Sequence, residues 1–223
     1  VVLTGPATGQ VTSRVSVDSG GAQGNKDSYG PSLSADGRYA AFSSESSNLV
    51  SGDTNGIWDV FVRDSRNGTT ERVSVDSFGA QVLGGSFEPS ISSDGRFVAF
   101  FSASAGLVDG DTNNAYDIFV RDRQDSTTER VSVSTSGAQG NGDSLYPAIS
   151  FDGRYVAFLS DAGFGMGGNG WYQVFVHDCL TGTTERVSVD SGGTLGNKAS
   201  RYPAISADGR YVTFYSGATN LVG

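Results

Sequence analysis

The sequence predicts an all-β fold, a β-propeller of four blades with four antiparallel strands in each blade. Three observations support this prediction: a set of motifs that recurs four times, glycine-rich turns between short apolar runs, and chain ends that each carry half of one repeat. Glycine accounts for 32 of the 223 residues without a three-residue period. That much glycine suits tight turns between short strands, and no segment shows a convincing helical period.

The repeat is marked by four copies of the string S-x-D-G-R, whose aspartates are spaced 58, 58 and 56 residues apart. A proline in each first strand and the arginine of an R-V-S-V string keep the same spacing. Three markers in step establish a repeated structural unit. The aspartates are Asp36, Asp94, Asp152 and Asp208, the prolines are Pro31, Pro89, Pro147 and Pro203, and the arginines are Arg14, Arg72, Arg130 and Arg186.

Each repeat is expected to contain four strands. In the third repeat the pattern predicts strands over residues 145–150, 155–160, 173–178 and 184–189. Asp152-Gly153 and Thr181-Gly182 are the expected turns, because such dipeptides supply the positive φ angles that tight hairpins need. The second strand is apolar on both sides, as a strand between neighbouring sheets would be. The fourth alternates, which is typical of an outer edge strand.

The two chain ends carry complementary halves of a repeat. Residues 216–223 match residues 43–51 and stop after a second strand, whereas residues 1–14 align with residues 59–72, a third and a fourth strand. We therefore expect a single domain over residues 1–223, in which residues 1–18 complete the last blade and close the ring. The chain begins with valine rather than methionine, which favours a trimmed domain or a domain excised from a larger surface protein.

The string P-x-I-S-x-D-G-R-Y-V-A-F, followed by D-V-F-V-R-D, resembles the TolB-type propeller repeat, a WD-like repeat. The resemblance covers essentially the whole chain and implies a propeller. Members of that family include periplasmic scaffold proteins and the propeller domains of some peptidases. The resemblance therefore implies no single activity.

The charge balance narrows the range of partners. The net charge is −9 and the chain has only two lysines, Lys26 and Lys198, so it would repel the phosphates of nucleic acids. No run of about 18 apolar residues predicts a membrane span. The lone Cys179 excludes an internal disulfide. We expect a monomer that is secreted, periplasmic or displayed at the cell surface.

The repeat divides the predicted propeller into two faces. The hairpin face carries the D-G hairpins and T-G turns, and it is nearly identical in all four repeats. The loop face carries the loops that join blades and those that join second to third strands, and these differ in length, charge and aromatic content. Because scaffolds carry function on variable loops, we expect ligand binding on the loop face.

The predicted ligand-binding residues are aromatic and polar side chains of the loop face. Aromatic rings beside Asn and Asp suit sugar or peptide recognition, and ordinary core packing is the competing interpretation. A second aromatic set begins the first strands, where core packing is the stronger interpretation. The ligand-binding set is Trp58, Tyr116, Asn141, Asp143, Trp171 and Tyr172; the first-strand set is Tyr29, Phe87, Tyr146 and Tyr202.

One loop predicts a cation site. Asp109, Asp111, Asn113 and Asp117 follow the 1, 3, 5, 9 spacing at the front of a calcium loop. The loop lacks the glycine at position six and the terminal glutamate, and Asp and Asn are also what turns are made of. No cofactor is required by the sequence, and calcium is the candidate stabilising ion.

The leading functional prediction is a non-catalytic binding or scaffold module that recognises a protein or a glycan. The alternative is a carbohydrate-active enzyme, a glycosidase or lyase, with Asp27, Glu88 and Asp143 at the channel mouth; it requires two carboxylates about 5–10 Å apart. No G-x-S-x-G string predicts a serine hydrolase. His177, the single histidine, stands where two other repeats have arginine, and we expect it at the surface.

Overall fold

The computed structural model describes residues 2–4 and 12–223 and arranges them in antiparallel sheets. The first sheet has two strands, β1 (Val2–Thr4) and β2 (Thr12–Arg14). Within the described residues there is no helix long and apolar enough to cross a membrane. The predicted all-β class and the four-stranded antiparallel unit are confirmed.

Three sheets are complete blades, and in each blade the four strands follow one another in chain order. Blade one contains β3 (Ser28–Leu33), β4 (Tyr39–Ser44), β5 (Asp59–Asp64) and β6 (Thr69–Arg72). Blade two contains β7 (Ser86–Ile91), β8 (Phe97–Ser102), β9 (Asp117–Asp122) and β10 (Thr127–Arg130). Blade three contains β11 (Ser144–Ile149), β12 (Tyr155–Ser160), β13 (Gln173–Asp178) and β14 (Thr183–Arg186). The last sheet pairs β15 (Ser200–Ile205) with β16 (Val212–Ser216).

The core lies between neighbouring blades. Alternate residues of a strand point to opposite faces, so in β4 Ala41 packs toward blade two while Phe42 packs with Val15, just after β2. The second and third strands are therefore buried on both faces, which explains their continuous apolar runs. In each complete blade these two strands also pair a phenylalanine across the sheet, with ring centroids about 6 Å apart.

The fourth strands are shorter than the alternating pattern predicts. In blade three the strand expected over residues 184–189 ends at Arg186. The amide of Val187 still donates to the Val174 carbonyl at 2.9 Å. The next residue, Ser188, instead donates a hydrogen bond from its hydroxyl to Gln173 Oε1 at 2.7 Å. This side-chain contact draws the backbone away from the ladder, and only an isolated bridge from Val189 to Leu195 follows.

Each first strand contains a bulge immediately before its proline. The register against the second strand shifts there, and the bulged residue has a positive φ in all four repeats. Only one of the four is glycine, although other residues adopt this conformation at a cost of about 1–3 kcal/mol. The bulged residues are Gly30 (63°), Glu88 (48°), Tyr146 (52°) and Tyr202 (54°).

The two terminal half-blades form separate two-stranded sheets in the structure. The sequence predicts that they pair with each other, but β1–β2 lies against blade one through Val15, and β15–β16 lies against blade three. Strand β16 is largely accessible, with Tyr215 69% exposed. Closure of the ring by the chain's own ends, and with it the number of blades, thus stays a prediction.

The D-G-R string fastens the first hairpin of each blade to its third strand. The Arg38 guanidinium donates from Nε to Asp64 Oδ1 at 3.1 Å and from Nη2 to Asp64 Oδ2 at 2.7 Å. Arg96 and Arg154 make the equivalent contacts with Asp122 and Asp178. The arginine hydrogen bonds hold the pKa of the buried Asp64 carboxyl at about 2. Because that pKa lies below the ordinary value, ionised Asp64 stabilises the fold.

We predict that Arg38→Met lowers the free energy of unfolding by about 1–3 kcal/mol, because it leaves the buried Asp64 carboxylate without its hydrogen-bonded partner. The matched control is Arg210→Met: Arg210 belongs to the same motif but has no ion pair among the described residues, so its loss should cost less than about 0.5 kcal/mol.

The effect of Arg38→Met should depend on pH with a defined sign. A depressed carboxyl pKa contributes stability that is complete above the unfolded pKa of about 3.9 and disappears as pH falls through the folded pKa. Urea unfolding should therefore show the two proteins converging between about pH 4 and pH 2. A difference that stays constant over this interval would mean that the ion pair is not its source.

Candidate ligand site on the loop face

The loops between blades and the loops between second and third strands meet on one face, as predicted. The amide of Asn25 donates to Asn48 Oδ1 at 2.9 Å, and the amide of Tyr116 donates to Asp143 Oδ1 at 3.0 Å. Asn169 makes a similar connection, from Nδ2 to the Gly196 carbonyl at 2.8 Å. Side-chain amides and carboxylates of Asn and Asp thus brace this face, which explains much of their frequency in these loops.

A continuous series of aromatic rings, the aromatic row, runs across the loop-face ends of the three complete blades to β15. Neighbouring ring centroids lie between 4.2 and 6.4 Å apart, the range in which aromatic pairs attract each other. Exposure is greatest at the two ends, at Tyr29 (45%) and Tyr202 (63%). The aromatic row consists of Tyr29, Trp58, Phe87, Phe101, Tyr116, Tyr146 and Tyr202.

The bulges of the first strands supply the inner members of this site. First strands of neighbouring blades contact one another, and their bulged residues meet: the Tyr146 and Tyr202 rings lie 5.6 Å apart. A side-chain carbon placed on Gly30 would lie 3.3 Å from the Glu88 carboxylate. The bulged residues of neighbouring first strands therefore lie close together across the blade boundaries, Gly30 beside Glu88 and Tyr146 beside Tyr202.

Carboxylates surround the aromatic row. Burial, followed by the charges of Asp27, Glu45 and Glu88, raises the pKa of Tyr29. On the other side, burial and the charges of Asp161 and Asp143 raise the pKa of Tyr172. Burial is the largest cause of both pKa shifts, and the neighbouring carboxylates add to it because they oppose ionisation of a tyrosine. The site is thus negative, and it suits a neutral or cationic ligand.

Basic side chains are sparse beside these carboxylates. The Arg201 guanidinium lies 5.3 Å from the centre of the Tyr172 ring. The Lys26 ammonium is 3.0 Å from Glu45 Oε1, on the rim and partly exposed. Neither contact involves Glu88, whose carboxylate has no ion pair among the described residues.

The structure brings together some of the predicted ligand-binding residues and separates others. Trp58 and Tyr116 belong to the aromatic row, and Asp143 orients Tyr116 through its backbone amide. Tyr172 lies beside Arg201. Trp171 is 49% exposed and has no aromatic neighbour within the described part of the chain. Asn141 lines a separate cavity of about 600 Å³ with Asp161 and Phe164.

The first-strand aromatic residues occupy two different positions of the repeat. The strand registers place Tyr146 and Tyr202 at the bulge, one residue later than Tyr29 and Phe87. Counting back from the proline of each repeat separates the two sets. Phe101 was not predicted, because a second-strand phenylalanine looks like any other core residue.

The predicted calcium loop holds an arginine between its carboxylates. Arg130 Nη1 lies 3.2 Å from Asp111 Oδ1 and 3.7 Å from Asp117 Oδ2. Asn113 Nδ2 donates to Asp117 Oδ2 at 2.8 Å, and the Ser132 hydroxyl donates to Oδ1. Across residues 12–223, no group of three His, Cys, Asp or Glu side chains is placed to hold a metal. A cation shared by the two carboxylates would have to displace Arg130, which the spacing of the calcium-like loop does not reveal.

His177 is buried rather than exposed, which corrects the sequence-based expectation. Its ring is 5% accessible, and Nδ1 lies 2.8 Å from the Thr184 hydroxyl. Burial lowers its pKa. The equivalent Arg121 is also buried and donates to the Asp76 carbonyl of the preceding loop at 3.0 Å. The position joins neighbouring parts of the repeat array, which the sequence could not reveal.

Of the carboxylates proposed for the alternative enzymatic function, Asp27 and Glu88 both lie near Tyr29, and Asp143 lies beside Tyr116. Glu88 faces Gly30, and Asp143 accepts the Tyr116 amide. Burial and the charge of Asp143 raise the pKa of Asp161. The Asp161 carboxyl is therefore a neighbour of Asp143, and both residues belong to blade three. The glycosidase or lyase function stays a prediction.

Comparison with known proteins establishes the fold and leaves the family open. No family model and no curated protein matches the chain. TolB of Acinetobacter baumannii is 19% identical with a TM-score of 0.53, over 87% of this chain and 39% of TolB. A putative TolB of Agrobacterium tumefaciens is 20% identical with a TM-score of 0.51, over 86% of this chain and 60% of that protein.

A prolyl endopeptidase structure shows the same likeness at 14% identity and a TM-score of 0.51, over 85% of this chain and 26% of that one. This chain thus spans between about a quarter and three fifths of the proteins it resembles. At such identities the likeness concerns the fold alone, and it shows that the chain has a β-propeller fold.

We predict that millimolar calcium leaves the melting curve of the unmodified chain unchanged, because Arg130 already neutralises Asp111 and Asp117. In Arg130→Gln the buried carboxylates lose their partner, which should cost about 3–5 kcal/mol in chelator, and calcium should restore part of that loss. The comparison uses calcium and chelator arms for both proteins. A calcium-dependent gain in the unmodified chain, about 2.7 kcal/mol at a hundredfold excess over the dissociation constant, would establish the calcium site instead.

Proposed function

We propose that this chain is a non-catalytic protein-binding propeller module that holds an extended peptide segment of its partner against the aromatic row. The observation that carries the proposal is the row itself, seven rings in contact whose exposed members stand among carboxylates. Aromatic side chains provide large, rigid contact area at low entropic cost. The likeness to TolB propellers supports a protein ligand over a glycan.

The strained bulges favour a binding role over simple packing. A tyrosine or glutamate with positive φ costs about 1–2 kcal/mol relative to glycine, and repeat one has glycine at this position. Tyr146 and Tyr202 are 39% and 63% exposed, so the burial of their rings offsets little of the conformational cost. Side chains held in strained conformations with incomplete burial are characteristic of functional positions.

The negative charge around the row sets the chemistry of the partner. Asp27, Glu45 and Glu88 on one side and Asp143 and Asp161 on the other favour a segment that is neutral or basic. A secreted or periplasmic location and a monomeric state belong to the same proposal. The TolB-like repeat supports the location, because the family it resembles includes periplasmic scaffolds.

The fourth blade belongs to this proposal as well. We propose that β15 and β16 are joined by β1 and β2, so that the ring closes and the aromatic row surrounds a channel. The complementary halves at the two ends support it. By analogy with the pairing of Ser43 with Val60 in blade one, Tyr215 would face Val2.

Ring closure predicts a specific disulfide. With Cys179 replaced by serine, the pair Val2→Cys and Tyr215→Cys should oxidise within one chain, seen as faster migration on a non-reducing gel at unchanged mass. The pair Val2→Cys and Phe151→Cys, with one cysteine on a D-G hairpin, is the matched control and should stay reduced. Absence of the first crosslink, or crosslinks only between chains, would contradict closure.

The binding proposal is tested by selecting peptides from a displayed random library on the immobilised chain, with a glycan array in parallel. We predict that selected peptides lose about tenfold in affinity, or about 1.4 kcal/mol, with Tyr146→Ala, Tyr202→Ala or Glu88→Gly. Glu88→Gly should leave stability equal or slightly higher, since glycine suits positive φ. The control is Phe151→Ala, an exposed ring on the hairpin face. Binding of glycans alone, or equal losses with Phe151→Ala, would overturn the proposal.

A further inference from the structure

Two equivalent crevices open on the hairpin face, the first between blades one and two and the second between blades two and three. They share the same framework. The Arg123 amide donates to the Arg96 carbonyl at 2.9 Å in the first, and the Cys179 amide donates to the Arg154 carbonyl at 2.8 Å in the second. Each crevice has an aromatic ring pressed against the glycine of the next blade's D-G turn: Tyr39 at Gly95 and Phe97 at Gly153.

An arginine of the chain fills the first crevice. Arg123 Nε donates to Glu71 Oε1 at 2.6 Å, and Arg123 Nη1 donates to the Gly95 carbonyl. The guanidinium lies 4.6 Å from the centre of the Tyr39 ring. A carboxylate, a carbonyl and an aromatic face thus surround one planar cation, which is the recognition geometry that guanidinium groups favour.

The second crevice keeps all three of these recognition elements and lacks the cation. Glu129 stands where Glu71 does, Gly153 where Gly95 does and Phe97 where Tyr39 does, whereas Cys179 replaces Arg123. Burial raises the pKa of the Cys179 thiol to about 12, so it carries no charge at neutral pH. The short side chain leaves a cavity of about 310 Å³ lined by these residues.

The neighbouring charges leave Glu129 without a partner in the part of the chain that the structure describes. Arg154 is engaged by Asp178, and Arg96 is engaged by Asp122 and Asp125. Arg96 covers one face of Phe97 at 4.8 Å, just as Arg38 covers one face of Tyr39 at 4.6 Å. The Arg123 guanidinium lies over Tyr39 as a second cation, and among the described residues Phe97 has no second cation.

We propose that the second crevice is a binding site for a guanidinium group, held by Glu129, the Gly153 carbonyl and the Phe97 ring. The occupant is either a free guanidino compound or an arginine side chain of a partner protein. This site lies on the face opposite the aromatic row and is independent of the function proposed for that row. The chain's own first crevice is the internal precedent for each contact.

The experiment titrates the full chain with agmatine, following the backbone amide signals of Gly153, Cys179 and Leu180 by NMR. Saturable shifts at these positions are expected. Putrescine, which has the same four-carbon chain with an ammonium in place of the guanidinium, should bind at least about tenfold more weakly, because it lacks the planar fork. Equal binding of the two amines would overturn the guanidinium assignment.

Three variants test the residues. Glu129→Gln should weaken agmatine binding at least about tenfold, and it should fold normally because Glu129 is exposed. Glu71→Gln, the matched control in the first crevice, should leave agmatine binding unchanged. Cys179→Arg should fill the second crevice, abolish agmatine binding and raise the melting temperature. Agmatine shifts that persist in both Glu129→Gln and Cys179→Arg would overturn the site.

A second titration, with a capped Gly-Gly-Arg-Gly-Gly peptide, decides whether the guanidinium belongs to a free compound or to a partner protein. If this peptide binds the second crevice at least about tenfold more tightly than agmatine, the occupant is a partner's arginine; if agmatine binds as tightly or more tightly, it is a free guanidino compound. Both results support the site. Absence of shifts with agmatine and with the peptide, at concentrations up to tens of millimolar, would refute it.

Discussion

Packing of one blade's face against the next is the interaction on which the rest of the structure depends. Ala41 and Phe42 are adjacent in β4 yet belong to different interfaces, so each complete blade is held from both sides. Burying apolar area contributes about 25 cal/mol per Å², and this contribution recurs at every interface. The central residues of the second and third strands are accordingly Val, Ala, Ile, Leu or Phe. The polar ends of the strands and the loops are the parts left free to vary.

The repeated ion pairs and bulges act on this packing in opposite ways. The Arg–Asp pairs of the hairpin face fix the first hairpin of each complete blade, and they recur in all three. The bulges of the first strands cost conformational energy at Glu88, Tyr146 and Tyr202. The surrounding sheets hold them in place, and the result is a set of side chains that lie close to the blade boundaries. Rigid blades are therefore what allow a strained, partly exposed aromatic site to exist.

The proposed binding sites lie where the repeat departs from its common pattern. Where four copies agree, the common requirement is structural, since a single site does not need four copies. Where the copies differ, equivalent positions show what each side chain contributes. Arg123 fills a crevice that Cys179 leaves open, and Gly30 adopts without strain the conformation that is strained at Glu88. The repeat thus serves as an internal reference, because equivalent positions in neighbouring blades can be compared directly.

The sequence by itself determined the all-β class, the blade unit and its turns, because D-G dipeptides, prolines and apolar runs act locally and recur in step. It also placed Trp58 and Tyr116 on the correct face. Only the tertiary structure decided the remainder. The bulges at Tyr146 and Tyr202, the burial of His177 and the arginine between Asp111 and Asp117 depend on neighbouring strands of the same blade, and the aromatic row joins residues from different blades. These contacts depend on how strands pair and blades stack, and a motif read along one strand holds no information about the strand or blade beside it.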